Sequence, residues 1–247
     1  MSNKHPKMPI DTFLSTQTPY SRREILDLIK QNKVSVNGHR ITNLNHEIHF
    51  KIDIVKVDDK RVDYTTRLVY YKFNKPRNVI STFDDPKGRV DLERFIQGLP
   101  DSVFPVGRLD RQSKGLLLFT NDGPLTHQIL HPSYKLPKVY DVVLDKPITT
   151  AHLKRLTRSF FLDDGPVQLD NIEKFGDVEL RVTISEGRNR IIRRSFEFFG
   201  YTVIKLERLS IGPVSLGNLK EGKVRELSIR EIKDLKRALE SGDSSKE

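Results

Sequence analysis

The sequence predicts an α+β fold in two units, a small N-terminal α/β unit and a larger unit made mainly of strands. Three patterns support this prediction. A capping box, S-x-x-E, precedes an amphipathic stretch at 21–31. An Asn-Gly pair at 37–38 follows a short alternating run, which is typical of a hairpin. The stretch 178–185 alternates apolar and polar residues, which predicts a half-buried strand.

The N-terminal unit is predicted to contain two helices, a hairpin and a last strand. Apolar spacing over 10–14 predicts the first helix, which Thr18-Pro19 ends. The capping box begins the second helix, over about 22–31, and the last strand covers 52–57. The unit therefore occupies residues 9–64, and we expect the first eight residues to form a disordered arm.

The larger unit, predicted over 65–238, consists mainly of strands. A helix over 189–200 has Gly200 at its C′ position. The polar tail over 239–247 is expected to be flexible. The predicted strands cover residues 68–73, 116–119, 139–144, 178–185 and 201–211.

Composition excludes several classes of site. The 247 residues are 36% hydrophobic and 31% charged, which indicates a globular chain. The absence of cysteine excludes disulfides, thiol nucleophiles and thiolate metal sites. The N-terminus lacks the apolar segment of a signal peptide, and no apolar run reaches the ~20 residues of a membrane helix. We therefore expect a soluble, cytoplasmic protein with no membrane partner.

The charge balance favours a polyanionic partner. Lys and Arg number 43 against 33 acidic residues, so the formal net charge is +10. This excess favours nucleic acid as the partner. Acidic lipid is a weaker alternative, because the sequence has no basic amphipathic helix with a strong apolar face.

One carboxylate, Asp110, lies between Arg108 and Arg111, just before the apolar run 116–119. Turn residues lie on both sides of that run, so we expect a buried strand there. We place Asp110 in the loop that leads into this strand. Neighbouring cations keep a carboxylate ionised, which suits a nucleophile or a base. From the residues alone, a structural ion pair is the commoner explanation for such an aspartate.

A second group of cations lies in EGRNRIIRR, at a predicted strand-to-helix junction. Helix N-termini and arginine side chains bind phosphate. The sequence alone does not show whether this group meets Asp110. Its members are Arg188, Arg190, Arg193 and Arg194.

A family resemblance rests on GRLDRQSKGLLLFTNDG, KVYDVVL and EGRNRIIRRSFEFFG. Together they resemble the RsuA/RluB group of pseudouridine synthases, and LERLSIGPVSLGNLKEGKVRELS is similar to the closing segment of that group. Residues 9–60 resemble the alpha-L RNA-binding domain named after the fourth small-subunit ribosomal protein. The resemblance implies a catalytic domain built on a mixed, mainly antiparallel sheet with flanking helices.

The same resemblance implies a set of site residues. The essential aspartate of the family corresponds to Asp110, its K-x-Y tyrosine to Tyr140, and the basic partner of the aspartate to Arg193. The implied substrate pocket comprises Arg108, Ile192 and Lys138. The implied reaction turns uridine into pseudouridine in ribosomal RNA, without cofactor or metal, in a monomer. Asp110 acts in it as nucleophile or base, and the sequence does not choose between the two.

Other basic residues are expected to bind RNA phosphates. For each of them a solvated face is the plain alternative. The target uridine must leave its stack, which costs a few kcal/mol. The predicted RNA-binding residues are Arg22, Arg23, Lys33, Arg40, Arg111, Arg188, Arg190 and Arg194.

Two positions depart from the family pattern. Pro9-Ile10-Asp11 stands where arginine-leucine-aspartate is usual, and Asn78 stands at the glycine of a Lys-Pro-x-Gly loop. Asparagine tolerates a positive φ better than most residues. The stretches GRNR and 162–173 are closer to the large-subunit RluB type than to the small-subunit RsuA type.

Several alternatives remain open on sequence grounds. One is a non-catalytic ribosome-assembly factor that binds ribosomal RNA, and another is a small-subunit synthase. A DNA-binding regulator is disfavoured, because no helix-turn-helix is evident. Two histidine pairs, 127 with 131 and 46 with 49, lack a third ligand at suitable spacing, so no metal is expected.

Overall fold

The computed structural model describes residues 7–243, except 19, 51, 65–67, 84, 86 and 101–102. Contacts between residues divide the chain into two compact units. The first takes in Met1–Tyr70, Gly98–Phe104 and Thr120–Pro124. The second takes in Tyr71–Gln97, Pro105–Phe119 and Leu125–Glu247.

The N-terminal part of the first unit packs two helices against short strands. The helices are α1 (Ile10–Gln17) and α2 (Arg22–Lys30). The strands are β1 (Met8–Pro9), β2 (Val34–Val36), β3 (His39–Arg40), β4 (Glu47–Ile48), β5 (Val55–Val57) and β6 (Lys60–Val62). β1 pairs with β4, and the others form an antiparallel sheet in the order β3-β2-β5-β6. The core includes Ile10, Phe13, Ile25, Val34 and Val55.

Local hydrogen bonds and dihedrals confirm two of the predicted elements. The Ser21 N–H donates to Glu24 Oε2 at 2.7 Å, and the Glu24 N–H donates to Ser21 Oγ at 3.3 Å. This reciprocal pair is the predicted capping box at the start of α2. Asn37 and Gly38 have φ values of 51° and 85°, which suit a type I′ turn between β2 and β3.

The predicted last strand over 52–57 is wrong in its length and in being the last strand of the unit. Residues 52–53 form a turn in which the Ile52 N–H donates to His49 O at 2.8 Å. The strand itself is β5, and β6 follows it. Asp58 and Asp59 have positive φ values, 48° and 61°, so they reverse the chain in place of ending the sheet. The predicted arm is also too long, because Met8 pairs with Ile48 in β1; residues 1–6 lie outside the described residues.

A large mixed sheet organises the rest of the chain. Its strands are β7 (Tyr70–Lys75), β8 (Phe104–Pro105), β9 (Lys114–Thr120), β10 (Lys138–Leu144), β13 (Asn171–Lys174), β14 (Glu179–Ile184), β15 (Val203–Ile211), β16 (Val214–Ser215) and β17 (Val224–Glu226). A separate hairpin pairs β11 (Phe160–Leu162) with β12 (Gly165–Val167). The flanking helices are α3 (Gly123–Leu130), α4 (Thr150–Leu156), α5 (Ile191–Phe198) and α6 (Ile229–Asp243).

The sheet order brings strands distant in sequence together. Within the described residues it runs β13-β14-β10-β15-β9-β7-β17, with β16 beside β15 and β8 beside β9. β9 and β15 are parallel, while β10 is antiparallel to both β14 and β15. The sheet is therefore mixed and mainly antiparallel, as the family resemblance implied.

Burial explains why two strands were readable from sequence. Leu116, Leu117 and Phe119 of β9 are fully buried, so this central strand is continuously apolar. In β14, Leu180 and Val182 are fully buried on alternate positions, as the alternating pattern predicts.

The C-terminal helix α6 corrects the predicted tail. The tail was placed over 239–247, yet α6 continues to Asp243 and buries Leu239. Ser228 and Glu231 form a capping box at its start, because the Ser228 N–H donates to Glu231 Oε2 at 2.8 Å and the Glu231 N–H to Ser228 Oγ at 3.2 Å. Residues 244–247 lie outside the described residues. No helix among the described residues is long and apolar enough to cross a membrane.

The first unit also includes pieces of the predicted second domain. The Thr120 hydroxyl donates to Val69 O at 2.6 Å, and the Val69 N–H donates to Asn121 Oδ1 at 3.0 Å. The Tyr70 hydroxyl donates to Asp122 Oδ2 at 2.7 Å. Residues 65–67, at the start of the predicted second unit, lie outside the described residues. These bonds tie residues 69–70 to residues 120–122, so the compact first unit is not continuous in sequence.

Gly115 permits the close approach of β9 to β15. It pairs with Arg208 in the parallel ladder and has a φ of +104°. A Cβ at this position meets the backbone oxygen and nitrogen of Arg208 at less than van der Waals distance. Both the space and the dihedral therefore require glycine.

We expect Gly115→Ala to destabilise the fold by about 2 to 5 kcal/mol, because strain and overpacking add. Urea unfolding followed by circular dichroism measures this effect. Gly187→Ala is the control, since a Cβ there meets no atom of the described residues within 4 Å. A loss of similar size in both variants contradicts the assignment.

Candidate active site

Asp110 lies in the loop between β8 and β9, and neighbouring segments hold this loop by its backbone. The Ser81 hydroxyl donates to Leu109 O at 2.7 Å and accepts from the Leu109 N–H at 3.1 Å. The Asn78 N–H donates to Arg111 O at 2.7 Å, and Asn78 adopts the positive φ expected of it, 68°. The residues on both sides of Asp110 are thus fixed.

The Asp110 carboxylate is half-buried and accepts three hydrogen bonds. Oδ1 accepts from the Gln112 N–H at 2.9 Å. Oδ2 accepts from the Ser113 hydroxyl at 2.9 Å and from Arg193 Nε at 3.3 Å. Two side chains therefore engage Oδ2, whereas Oδ1 receives a single backbone donor.

Arg193 of α5 is the predicted partner of Asp110, and the structure brings the two together. Its side chain is only 5% exposed. Nη1 donates to Val203 O at 2.7 Å, and Nη2 donates to the Ser113 hydroxyl at 3.3 Å. Because all three nitrogens are engaged, the guanidinium has one orientation, with Nε directed at Asp110.

Tyr140 and Lys138 project from β10 on the same side of the sheet, two residues apart. Both are buried, and Lys138 Nζ donates to Leu136 O at 3.1 Å. A cleft of about 940 Å³ opens beside them. Its lining includes Asp110, Arg108, Lys138, Tyr140, Ile192 and Arg208. The cleft thus joins the predicted pocket residues to the predicted catalytic ones.

Sequence reasoning missed three residues around the site. Ser81 fixes the Asp110 loop, and Arg208 lines the cleft. Lys75 is fully buried and interacts electrostatically with Asp110 and Arg208. Lys75 Nζ donates to Pro76 O and Val79 O, each at 2.8 Å. A lysine before a proline and an arginine within a predicted strand carry no local signal of burial, so only the tertiary structure identifies them.

Burial shifts the titration of both lysines. It lowers the pKa of Lys75 to about 8, which Asp110 partly opposes and Arg208 reinforces. It also lowers the pKa of Lys138 to about 8, which Arg208 reinforces and Asp170 partly opposes. The site therefore contains two lysines whose charged forms are disfavoured by burial.

The predicted RNA-binding arginines near the cleft differ in their surroundings. Arg108 and Arg111 are exposed and line the cleft. Arg188 pairs with Asp164 at 3.1 Å and also with Glu186, and Arg194 pairs with Asp164. Arg190 is exposed and lies 3.4 Å from Glu197. The charges of Arg188 and Arg194 are thus matched within the chain, whereas those of Arg108 and Arg111 face the cleft.

Three of the four predicted RNA-binding residues in the first unit are paired with acids as well. Arg22 lies 3.0 Å from the buried Asp11, so it supplies a cation beside the departure noted at 9–11. Lys33 pairs with Asp58 and Arg40 with Asp59, each at 3.5 Å. Arg23 is exposed at the start of α2. The pairs of Lys33 and Arg40 are exposed and therefore weak, so a polyanion can compete for these two cations.

The part of the chain that the structure describes contains no set of side chains suited to bind a metal ion. No group of three or more histidine, cysteine, aspartate or glutamate side chains there is placed to hold a metal ion.

Comparison with known families matches both parts of the chain. Residues 69–198 match the family described as RNA pseudouridylate synthase. Residues 8–51 match the S4 domain. The first match contains Asp110, Tyr140 and Arg193, and the second contains α1 and α2.

Similar proteins align over nearly the full chain. An Aquifex aeolicus protein named as an RNA pseudouridine synthase is 40% identical, covering 93% of this chain and 94% of its own. The Bacillus subtilis ribosomal large subunit pseudouridine synthase B is 36% identical, covering 91% and 94%. A crystal structure of a pseudouridylate synthase superposes with a TM-score of 0.68 at 27% identity, covering 92% of this chain and 99% of its own.

The buried lysines predict a pH dependence of stability. The folded chain releases the Lys138 proton near pH 8, whereas the ordinary lysine pKa is 10.5. Between these values the unfolded chain binds more protons, so the free energy of unfolding rises with pH. We expect Lys138→Met to make this rise shallower between pH 8 and 10, with the share of Lys75 remaining.

Urea unfolding at several pH values measures the slope. Lys205→Met is the matched control, because Lys205 is exposed on β15. An unchanged slope in Lys138→Met contradicts the assignment.

Proposed function

Since the chain belongs to the RNA pseudouridylate synthase family and is an RNA pseudouridine synthase, we propose that its substrate is ribosomal RNA and that Asp110 is its catalytic carboxylate. We further propose Tyr140 and Arg193 as catalytic partners and Arg108, Ile192 and Lys138 as pocket residues. The observation that carries this proposal is the ion pair between Asp110 and Arg193, at 3.3 Å on the edge of the cleft.

The reaction needs an ionised carboxylate directed at one nucleotide. In uridine the N1–C1′ bond breaks, the base turns, and a C5–C1′ bond forms. Arg193 and Ser113 hold Oδ2 of Asp110, which leaves Oδ1 as the less engaged oxygen. We assign the attack to Oδ1, whether it is directed at the ribose or at the uracil ring. The surrounding donors hold the carboxylate in place, so little reorganisation accompanies the step.

Tyr140 is suited to hold a flipped uracil. It is buried, lines the cleft, and pairs with Arg208 in the β10–β15 ladder. Flipping the nucleotide costs a few kcal/mol, and stacking on an aromatic ring returns about 1–3 kcal/mol. The cleft volume, about 940 Å³, falls within the range of small-molecule sites.

RNA binding is assigned to both domains. We propose residues 9–64 as an RNA-binding domain and 65–238 as the catalytic domain; the S4 match and exposed cations such as Arg23 support the first assignment. Arg108 and Arg111 contribute at the cleft. Paired cations contribute where RNA displaces their acid partners. These are Arg22, Lys33, Arg40, Arg188, Arg190 and Arg194.

The large ribosomal subunit is the favoured source of the substrate. The Bacillus subtilis relative carries that subunit in its name, and so supports this choice. We propose that the enzyme acts as a monomer in the cytoplasm, on ribosomal RNA or on an assembly intermediate. A small-subunit target remains the alternative to be tested.

The central test is Asp110→Asn with large- and small-subunit ribosomal RNA transcripts. We expect the wild-type protein to form pseudouridine in the large-subunit transcript, and the variant to lose about 10⁴-fold in rate. Asp141→Asn is the matched control. Asp141 lies on β10, one residue from Tyr140, and is paired with Arg181 of β14. Formation of pseudouridine only in the small-subunit transcript reverses the choice of subunit. No pseudouridine in any transcript or assembly intermediate contradicts the assignment.

Arg193→Ala separates catalysis from RNA affinity. Arg193 contacts Asp110, Ser113 and Val203 O, and its side chain is only 5% exposed, which leaves little of it for a phosphate. We expect turnover to fall at least about 100-fold while the Kd for RNA changes less than about threefold. Filter binding and single-turnover assays measure the two quantities, with circular dichroism to check folding. Equal losses of rate and affinity identify Arg193 as a phosphate contact instead.

A further inference from the structure

Arg208 lines the cleft but has no part in the mechanism above. It lies in β15 and is only 5% exposed. Its Nε donates to Leu116 O at 2.7 Å. Among the described residues neither Nη group has a hydrogen-bond acceptor, and Nη2 is shielded from solvent. A buried guanidinium thus retains unused donors at the wall of the cleft.

Unused buried donors need a physical reason. Leaving such a group without an acceptor destabilises the fold, and more so when the group is charged. Functional sites are the usual places where such a loss persists. The bond to Leu116 O fixes the direction of the side chain, so its Nη end is oriented before any substrate arrives.

The position of Arg208 is determined by its neighbours in the sheet. It stands opposite Tyr140 in the β10–β15 ladder, so the two side chains lie next to each other on one face. On its other side it pairs with Gly115 of β9, which lies near the end of the Asp110 loop. Arg208 is therefore the cross-strand neighbour of the ring on which we propose that the uracil stacks.

The charge around Arg208 is unbalanced. Lys75, Lys138 and Arg208 are all buried, and Arg208 lowers the pKa of both lysines. The carboxylates that oppose this effect on the lysines are Asp110, Asp170 and Glu221. Asp110 is already engaged by Arg193. The wall beside Tyr140 thus suits an oxygen atom that gains negative charge.

We propose that Arg208, with Lys138 beside it, donates to a carbonyl oxygen of the target uracil and stabilises the negative charge that develops on the base. This inference rests on the proposed function. When the N1–C1′ bond breaks, its electron pair stays on the base, and the charge spreads from N1 onto O2. If the carboxylate first adds to C6, the charge moves instead onto O4. After the C5–C1′ bond forms, C5 loses its proton and N1 gains one. The Asp110 carboxylate leaves C1′ when C5 attacks there, or leaves C6 as the C5=C6 double bond is restored, so the product is neutral and Asp110 is regenerated.

The first test substitutes Arg208 in the full-length protein. The substrate is a transcript that carries the uridine mapped with the wild-type enzyme. We expect Arg208→Met to lower the single-turnover rate about 100-fold or more, as removal of an oxyanion donor does. Arg208→Lys keeps a charge and recovers part of that rate. The Kd for RNA and its salt dependence stay near the wild-type values.

Arg181→Met is the matched control. Arg181 belongs to β14 of the same sheet but is paired with Asp141 at 2.8 Å. We expect its rate to remain close to that of the wild type. Thermal unfolding of each variant shows whether a lost rate reflects a lost fold.

The second test changes the acceptor atom. Transcripts carry 2-thiouridine or 4-thiouridine at the target, because sulfur accepts hydrogen bonds more weakly than oxygen. We expect one of the two to slow the wild-type enzyme, and that penalty to shrink in Arg208→Met. The penalty identifies the contacted atom as O2 or O4. If Arg208→Met does not fold, the thio penalty of Arg208→Lys is compared with that of the wild type, and a smaller penalty in Arg208→Lys supports the contact.

Other results overturn the proposal. A phosphate contact weakens RNA binding and reduces the salt slope by about one, with the rate of the bound complex intact. Thio penalties that are equal in wild type and variant also exclude a contact with the base. A wild-type protein that forms no pseudouridine in any ribosomal RNA refutes the proposed function itself, which is a different result from an active wild type with active Arg208 variants.

Discussion

The ion pair between Asp110 and Arg193 is the interaction on which the site depends. It joins a loop before β9 to helix α5, and the two residues are 83 positions apart. Arg193 is buried, and its remaining nitrogens are bound by Val203 O and Ser113. Removing either partner leaves a charge in a largely buried position, which is strongly destabilising. The loop, the helix and the start of β15 are therefore fixed relative to each other by one guanidinium.

Several positively charged side chains near this pair are buried and have little contact with solvent. Lys75 is fully buried and Lys138 nearly so, and burial lowers the pKa of each to about 8. A chain selected for stability alone gains nothing from such groups, because their charged forms are disfavoured by desolvation. The arrangement is physically reasonable if the negative charge arrives with the substrate. By contrast, Arg188 and Arg194 are already matched by Asp164, so these two cations differ from those in the cleft.

Elements that begin or turn through contacts between near neighbours are predictable from sequence, and two such elements correct the predictions for the tail and for the strand over 52–57. Ser21 and Glu24 begin α2 through a capping box that is visible in sequence. The same S-x-x-E pattern at 228–231 begins α6, so the tail assigned to 239–247 is partly helical. The Asp58-Asp59 pair reverses the chain because aspartate tolerates a positive φ, which adds β6 to the sheet.

The sequence by itself determined the local structure and the family, because hydrogen bonds between near neighbours, apolar periodicity and short motifs are all written in consecutive residues. It also indicated Asp110, through its motif. Only the tertiary structure decided which cations serve the cleft and which are matched by acids, because ion pairs join residues far apart in the chain. Arg208 shows the difference most clearly. In sequence it is one polar residue of a strand, and only the pairing of β15 with β9 and β10 places it, buried, beside Tyr140.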